Sequence, residues 1–324
     1  MGRLLSKPGL TVTVAQRENS LKNVYTCRGQ FYLAFTNENV EQLPMMEMFM
    51  DSRVITITSG KGGVGKTTTT ANLGTALAMQ GKKVAVVDSD IGLRNLDAVL
   101  GLENRIVYDL VDVVEGQCRL RQALIKDKRL PELYLLPAAQ TRDKNAINSI
   151  QMEQLCQQLR QEFDFVLIDS PAGIEQGFRN AIVGADEIII VANPEMASVR
   201  DADRIIGLVE AAGKPEPRLI LNRLRAEMVR RGDMMDVSDV LEVLGIDLVG
   251  IVPEDELIIV AINKGEPIVY EKRSRAGSAY LNAAQRIIGK EVPLEEIEEV
   301  PTFMERLRRM VGFGSSMAEK RVRL

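Results

Sequence analysis

The chain has 324 residues, of which 45% are apolar and 27% are charged, and its formal net charge is −4. This composition is ordinary for a soluble globular protein, and the slight acidity excludes a global basic field that would draw the chain to nucleic acid. The chain contains no histidine, which excludes the commonest general base and metal ligand. The cysteines Cys27, Cys118 and Cys156 form no Cys-x-x-Cys pair, so neither a zinc site nor a disulfide framework is expected.

Residues 1–51 precede the first predicted strand and show no clear periodicity. We expect them to form an N-terminal extension that is disordered or processed. The segment from Met1 to Arg17 is basic without acidic residues and resembles an organelle transit segment, and Met1-Gly2-Arg3-Leu4-Leu5-Ser6 fits a myristoylation pattern. Both patterns are short and frequent by chance. Several methionines just before the first strand also favour a later start.

Apolar runs alternate with helical patterns over residues 52–288. Runs without polar alternation suit strands that are buried on both faces, and strands that alternate with helices form parallel βαβ units. The sequence therefore predicts an α/β fold with a mostly parallel, twisted sheet flanked by helices. The predicted strands are 54–58, 83–88, 133–136, 165–169, 187–192, 218–222 and 247–252. The predicted helices include 67–80, 149–162, 198–212, 237–244 and 274–288.

The first predicted strand is followed by a glycine-rich loop that opens a helix. Gly60-Lys61-Gly62-Gly63-Val64-Gly65-Lys66-Thr67 fits the phosphate-binding pattern G-x-x-x-x-G-K-[ST]. Glycines let backbone N–H groups turn inward around an anion, and the helix presents its positive N-terminal end to the same charge. Lys66 is expected to reach the β- and γ-phosphates of ATP, and the Thr67 hydroxyl to bind Mg²⁺. The sequence thus predicts a P-loop nucleoside triphosphatase.

The same loop also spells G-x-G-x-x-G through Gly60, Gly62 and Gly65, with Asp88 at about the distance of a ribose-binding acid in a dinucleotide site. A dinucleotide site does not need Lys66 and Thr67, whereas a nucleotide hydrolase does. An NAD(P)-dependent oxidoreductase is therefore the less favoured interpretation.

Acidic residues follow two other predicted strands. Asp88 and Asp90 end the second strand, and Asp169 ends the run 165–169. Carboxyl ends of parallel strands meet at one edge of a sheet, so these side chains are expected near the phosphate loop. We assign Asp90 to orienting the attacking water, Asp88 to supporting the Mg²⁺ shell and Asp169 to holding a Mg²⁺-bound water. The turn 171–173 could sense the γ-phosphate.

Lys61 makes the phosphate loop an unusual one. The run 61–67 (KGGVGKT) resembles the deviant phosphate loop of the MinD/ParA family of ATPases. Further motifs resemble the septum-site-determining branch of that family. They are 90–97 (DIGLRNLD), 169–175 (DSPAGIE), 193–195 (NPE) and 198–204 (SVRDADR). The resemblance covers about residue 53 to the last predicted helix, and several motifs in the same order make it specific.

The resemblance implies how the loop is used. Two subunits would sandwich two ATP molecules as an ATP-dependent homodimer. Lys61 would reach the partner's nucleotide while Lys66 serves its own, and Thr68 would contact the α-phosphate. Asp90 would lie in switch I and position the water. Residues 169–173 would form switch II.

The resemblance also implies a base site and partners. Asn222 and Arg223 resemble the adenine-reading segment, with Pro253, Glu254 and Asp255 near the base and ribose. The stretch 198–204 resembles the surface that receives a MinC-type inhibitor and a MinE-type activator. The implied function is an ATPase that recruits the inhibitor of FtsZ assembly to place the division septum. It would be cytoplasmic and peripheral to the bacterial inner membrane, or reside in the plastid stroma.

The end of the chain has a membrane-binding pattern. Residues 289–301 form an acidic linker, and Thr302 and Glu305 fit a capping box that starts a helix. At about 100° per residue the apolar positions share one arc of about 120°, and arginines lie outside it. The apolar residues are Phe303, Met304, Leu307, Met310 and Val311, and the arginines are Arg306, Arg308 and Arg309. Residues 302–324 therefore predict an amphipathic helix and basic tail that bind an anionic membrane surface.

Alternatives remain at this point. The terminal helix could instead dock on its own domain. A ParA-like ATPase for DNA or cargo partition would use the same nucleotide chemistry, but basic DNA-facing patches would be expected, and the acidic balance disfavours nucleic acid. A flagellar-placement ATPase is a closer alternative. Iron–sulfur relatives need paired cysteines, which this chain lacks.

Overall fold

A computed structural model describes three strands before residue 36, residues 52–143 and residues 146–294. The chain divides into two compact units, Met1–Asp51 and Ser52–Leu324. The predicted membrane-binding segment, 302–324, and most of the acidic linker, 289–301, lie outside the described residues, so both stay predictions. No helix within the described residues is long and apolar enough to cross a membrane.

The first unit contains an antiparallel sheet of three strands in the order β1-β2-β3. These strands are β1 (Thr11–Ala15), β2 (Lys22–Cys27) and β3 (Gln30–Phe35). The register pairs Val12 with Tyr25 and Val24 with Leu33. No strand was predicted here from the sequence. The available signal was the two-residue spacing between β2 and β3, which is typical of a hairpin.

The second unit is built on an eight-stranded sheet with the order β11-β10-β9-β4-β8-β5-β7-β6. Every neighbouring pair is parallel except β6 with β7, which is antiparallel. The strands are β4 (Arg53–Thr58), β5 (Val84–Asp88), β6 (Ile125–Lys126), β7 (Leu133–Leu136), β8 (Phe165–Asp169), β9 (Glu187–Ala192), β10 (Arg218–Leu224) and β11 (Leu248–Pro253). The predicted mostly parallel α/β sheet is confirmed. Within this sheet, only the edge strand β6, too short to show a periodicity, was not predicted.

Helices connect these strands and cover the sheet. They are α1 (Lys66–Met79), α2 (Leu96–Leu100), α3 (Leu110–Val114), α4 (Leu120–Ala123), α5 (Ser149–Arg160), α6 (Gln176–Val183), α7 (Met196–Ala211), α8 (Ala226–Arg231), α9 (Val237–Leu244), α10 (Leu257–Asn263) and α11 (Arg275–Ile287). Side-chain caps begin several of them: Asn148 accepts the Gln151 N–H, and Ser274 accepts the Gly277 N–H. Such caps satisfy the N–H groups that a helix start leaves without partners.

The core lies on both faces of the sheet. Every residue of β5 and β8 is buried, as expected for parallel strands covered by helices on two sides. Helices α1, α2 and α11 pack in one apolar cluster, while α5 packs in another. Helix α1 is buried along most of its length, so the helix after the glycine loop is held rigidly inside the domain.

The parallel order brings the predicted site residues to one edge of the sheet. Asp88 at the end of β5 lies directly opposite Asp169 at the end of β8, and Asp169 lies opposite Ile57 near the end of β4. Asn222 falls near the end of β10. The glycine loop between β4 and α1 therefore meets both carboxylates at the carboxyl edge, where ligands bind in sheets of this kind.

Candidate active site

The glycine loop between β4 and α1 needs glycine for two separate reasons. Gly63 and Gly65 have φ angles of 78° and 101°, in the left-handed region that side chains disfavour. A Cβ atom on Gly65 would lie 2.4 Å from Asn222 Nδ2, and one on Gly60 would lie 2.5 Å from the Asp201 Cβ. The two outer glycines of the motif are thus fixed by close neighbours from β10 and α7.

The start of α1 is open to an anion. Its N-terminal cap is Gly65, which supplies no side-chain acceptor for the first N–H groups. These donors, together with the positive end of the helix, are suited to a phosphate. From behind the loop, Asn222 Nδ2 donates to the Val64 carbonyl at 2.7 Å. Asn222 therefore supports the loop backbone, a role that the sequence did not indicate.

Lys66 is the buried cation of the site, with 7% of its surface exposed. Burial lowers the pKa of its ammonium group, while the charges of Asp169 and Asp90 raise it. Both carboxylates are thus close enough to act on Lys66, as predicted from the strand ends. A buried lysine that faces a loop of N–H donors is suited to the charge of a triphosphate.

Asp169 is almost fully buried, and a metal ion beside it would offset the cost of burying its negative charge. Burial, followed by the charge of Asp88, raises the pKa of Asp169 to about 8, while a hydrogen bond from Thr67 and the charge of Lys66 lower it. Thr70 Oγ1 also lies 3.3 Å from Asp169 Oδ1. Carboxylate and hydroxyl oxygens are the ligands that Mg²⁺ prefers, so Thr67 and Asp169 fit a Mg²⁺ ion.

Asp88 anchors the loop that carries Asp90. Its carboxylate accepts the backbone N–H groups of Asp90, Asn95 and Leu96 at 3.0, 3.1 and 3.2 Å. Burial raises the pKa of Asp88 to about 6, and these hydrogen bonds oppose the increase. The predicted support of the Mg²⁺ shell by Asp88 stays a prediction. The structure assigns this carboxylate a further task, which is to cap α2 and to hold residues 90–95, called the switch I loop below.

The switch I loop is shaped by residues with positive φ. Gly92 has a φ angle of 93°, and Arg94 has 39°, which is unusual for a side-chain-bearing residue. The Arg94 guanidinium pairs with Asp97 at 2.8 Å, and the Gly92 N–H donates to the Ala139 carbonyl at 2.8 Å. These contacts hold a strained turn next to the half-buried Asp90.

The switch II turn, residues 169–173, lies beside the glycine loop. A Cβ atom on Gly62 would be in ordinary contact with the Ala172 Cβ, at 3.8 Å. The Ser170 N–H donates to the Ile57 carbonyl at 3.1 Å, and Ser89 Oγ donates to the Asp169 carbonyl at 2.7 Å. The turn is therefore tied to β4 and to the strand end that carries Asp88.

Lys61 lies apart from Lys66. Its Nζ is 3.5 Å from Glu195 Oε2 at the start of α7, and the two side chains are 36% and 55% exposed. Within one chain Lys61 thus pairs with a neighbouring acid on a partly open surface. This placement leaves Lys66 as the buried lysine of the loop.

Two of the residues predicted to read the base line one cavity, and the base contacts themselves stay a prediction. Arg223, with a φ angle of 60°, and Glu254 line a cavity of about 880 Å³ together with Met196, Met228, Met234 and Met235. Asn222 and Pro253 are buried and are not among its lining residues. The Asp255 carboxylate accepts Ser274 Oγ at 2.6 Å and the Leu257 N–H at 3.0 Å. Asp255 therefore orders the starts of α10 and α11, and its implied place near the base and ribose stays a prediction.

Sequence reasoning missed three neighbours of the loop. Thr70 contacts Asp169, Glu195 pairs with Lys61, and Asp201 packs on Gly60. A signal existed for Thr70, because it follows Thr67 by three residues and so shares its face of the helix. Glu195 stood in the 193–195 motif with no role assigned. Asp201 gave no local signal, since its contact depends on how α7 packs on the loop.

The site combines a parallel sheet, a glycine loop at the start of a buried helix, Lys66 and carboxylates at two strand ends. This combination defines a P-loop ATPase that uses ATP and Mg²⁺. A family profile described as an AAA domain matches residues 52–219. The septum site-determining protein MinD of Bacillus subtilis is 60% identical over 247 residues, which cover 76% of this chain and 92% of that protein. The chain belongs to the MinD family of septum site-determining ATPases.

Solved structures agree with this assignment. The MinC:MinD cell division protein complex of Aquifex aeolicus matches at a TM-score of 0.71 with 48% identity, covering 75% of this chain and 99% of that chain. MinD complexed with Mg-ADP from Pyrococcus horikoshii matches at a TM-score of 0.67 with 32% identity, covering 74% and 96%. The predicted family, fold, ATPase activity and use of ATP and Mg²⁺ are confirmed, and the dinucleotide interpretation gains no support.

Proposed function

We propose that this chain is the nucleotide-controlled switch of division-site placement, and that its cycle depends on a second copy. ATP binding joins two copies, the dimer binds an anionic membrane and recruits a MinC-type inhibitor, and hydrolysis releases both. The observation that carries the proposal is the separation of the two lysines of one loop. Lys66 is buried among its own site residues, whereas Lys61 pairs with Glu195 on a partly exposed surface.

The chemistry follows from the residues around Lys66. Backbone N–H groups of the loop and the Lys66 ammonium would hold the phosphates, and Thr67 with Asp169 would hold Mg²⁺. When bound, the ion neutralises charge on the β- and γ-phosphate oxygens. Asp90 would accept a hydrogen bond from a water molecule and orient its oxygen towards the γ-phosphorus. That oxygen would bond to phosphorus, the electron pair of the bond to the bridging oxygen would leave with ADP, and a proton of the water would pass to the released phosphate.

Lys61 would complete the site of the other copy. To reach it, Lys61 must leave Glu195, and the exposure of both side chains keeps the cost of breaking this pair small. A second cation near the transferring phosphoryl group would stabilise the transition state. Hydrolysis would then depend on dimer formation, which makes the bound nucleotide a signal for assembly.

Membrane binding would rest on the terminal segment, which lies outside the described residues. Its apolar arc and arginines fit an interfacial helix, and a helix of about three turns is marginal alone in water. One copy would bind weakly, whereas a dimer would present two segments and gain avidity through effective concentration. This relation explains why a short helix suits a nucleotide switch.

The face of α7 supports a protein partner. Ser198, Val199 and Ala202 are buried, while Arg200 and Arg204 are exposed, so the helix presents charged side chains outward. A relative of 48% identity forms a MinC:MinD complex. We infer that this face receives a MinC-type inhibitor, and that a MinE-type activator uses the same region.

Relatives come from bacteria and from plastid-bearing algae. We therefore propose a place at the inner surface of a bacterial membrane, or in the plastid stroma. The alternative function, DNA or cargo partition in the manner of ParA, is less supported because the relative at 60% identity is a septum site-determining protein. A partition ATPase would bind DNA in the presence of ATP.

The test is sedimentation with vesicles that contain anionic lipid, in ATP and in ADP. The full chain should sediment with ATP only, and a chain that ends at Pro301 should stay in solution. Lys61→Ala is the matched control, because it should still bind ATP but fail to dimerise and to sediment. Sedimentation that ignores the nucleotide, or that survives truncation, would contradict the proposal, and DNA binding would then be measured.

A further inference from the structure

The C-terminal ends of two short helices, which are distant from each other in sequence, lie in contact. The helices are α2, which follows the switch I loop, and α10, which follows the base segment at Glu254. Gly101 directly follows α2, Gly265 lies two residues after α10, and their φ angles are 66° and 63°. A Cβ atom on Gly101 would lie 2.5 Å from the Gly265 carbonyl oxygen, and one on Gly265 would lie 2.7 Å from the Gly101 Cα. The two backbones therefore meet without room for a side chain.

The Arg129 guanidinium bridges these helix ends. Its Nη2 donates to the Leu100 carbonyl at 2.7 Å, and Nη1 and Nη2 each lie 3.2 Å from the Gly265 carbonyl. The last carbonyls of a helix lack partners within the helix and carry its negative end. A planar guanidinium can serve the Leu100 carbonyl and the Gly265 carbonyl at once, which an ammonium group does less well.

Arg129 is itself held in place. The buried carboxylate of Asp127 accepts the backbone N–H groups of Arg129 and Leu130 at 2.6 and 2.9 Å, and its Oδ2 lies 3.5 Å from Arg129 Nη2. The Arg129 guanidinium also lies over the Tyr270 ring, 5.2 Å from its centre. Only one-third of the side chain is exposed. Because these contacts hold the Arg129 side chain, it loses little conformational entropy when it binds the Leu100 and Gly265 carbonyls.

The bridged helices carry two parts of the nucleotide site at their other ends. The N–H groups of Asn95 and Leu96, at the start of α2, donate to Asp88, and Asp90 lies just before them. The start of α10 is ordered by Asp255, next to Glu254, which lines the cavity where the resemblance places the base. Arg129 thus joins α2, which follows the switch I loop, to α10, which follows Glu254.

We propose that Arg129 is a positioning residue for ATP hydrolysis, which fixes α2 against α10 and so keeps Asp90 in register with the base-bound nucleotide. It touches no substrate and acts through α2. The proposal rests on the role proposed above for Asp90 and on the base site that the resemblance implies near Glu254. Helix α2 is only one turn long, so its position depends on its ends and on the buried Leu96 and Leu100. Loss of Arg129 should loosen the end of α2 without unfolding the domain.

The experiment compares Arg129→Ala and Arg129→Lys with Arg121→Ala. Arg121 is a matched control because it is also an arginine with a carboxylate partner, Glu162, but is 79% exposed and away from both helices. We expect kcat for ATP to fall about tenfold or more in Arg129→Ala, as misplacement of a positioned group does. ATP affinity should stay within about twofold, because the phosphate loop is untouched. Arg129→Lys should lie between, and Arg121→Ala should match the unaltered chain.

A second measurement separates positioning from general loosening. Each variant is assayed with GTP as well as ATP, at saturating Mg²⁺ and nucleotide. If α10 conveys base contact to α2, Arg129→Ala should lower kcat more for ATP than for GTP, so the preference for ATP shrinks. An unchanged kcat, or an equal loss with both nucleotides, would overturn the proposal. Should Arg129→Ala fail to fold, Arg129→Lys decides by the same criteria.

Failure of the underlying role of Asp90 can be told apart. Asp90→Ala should abolish hydrolysis while ATP binding is retained. If Asp90→Ala hydrolyses ATP normally, the assignment of the water-orienting residue is wrong, whatever Arg129→Ala does. If Asp90→Ala is inactive and the Arg129 variants keep their full kcat, only the positioning proposal falls.

Discussion

The phosphate loop and the proposed base site are built in different ways. At the phosphate end, eight consecutive residues supply the loop, and Lys66 and Asp169 are buried behind it. At the proposed base site, Arg223 from β10 and Glu254, directly after β11, line an open cavity of about 880 Å³. If the base binds there, phosphate binding rests on backbone geometry and desolvated charge, whereas base recognition rests on exposed side chains.

Removal of the buried charge should give the largest effect. We expect Lys66→Ala to lower kcat/KM for ATP by about 100-fold or more, because a preorganised donor in a desolvated site is lost. Isothermal titration with ATP and a steady-state phosphate-release assay measure both parts. The control is Lys61→Ala, which should retain ATP binding. Equal loss of ATP binding in both variants would contradict the separate roles of the two lysines.

Crowding of the loop should give the next largest effect. We expect Gly65→Ala to lower the free energy of unfolding by about 2–3 kcal/mol, since the alanine Cβ would meet Asn222 in a strained backbone conformation. Gly63→Ala is the matched control, because its φ of 78° gives strain but nothing lies within 4 Å. It should cost about 1 kcal/mol. Urea unfolding measures the difference, and equal losses would show that the Asn222 contact does not matter.

Truncation of a side chain at the proposed base site should have a smaller effect on ATP hydrolysis. We expect Arg223→Ala to raise KM for ATP by about tenfold with kcat nearly unchanged, because an exposed contact supports ground state and transition state alike. Initial rates over a range of ATP concentrations give both constants. A fall in kcat at saturating ATP would show that the base end also controls the chemical step directly.

The smallest effect is expected at the surface pair of Lys61. Glu195→Gln should lower the protein concentration needed for the ATP-dependent dimer by at most about fivefold, since exposed ion pairs contribute about 0.2–1 kcal/mol. Analytical ultracentrifugation with ATP measures the change. A weaker dimer in Glu195→Gln would mean that the carboxylate acts within the dimer instead of holding Lys61 back.

Much of the phosphate end followed from the sequence alone. The loop, Lys66 and the strands that end at Asp88 and Asp169 were predicted, and so was the mostly parallel sheet. These features depend on backbone preferences within a few residues and on apolar runs that identify buried strands. The local sequence pattern therefore predicts these features without knowledge of how the rest of the chain packs.

Tertiary structure decided what surrounds that loop. Packing of α7 placed Asp201 on Gly60 and Glu195 beside Lys61, and Asn222 reached the Val64 carbonyl from a strand more than 150 residues away in sequence. The capping of α2 by Asp88 and the bridge from Arg129 likewise join distant segments. Such contacts are set by strand order and helix packing, which sum many weak interactions over the whole domain. No short stretch of sequence contains them, and so only the folded chain determines them.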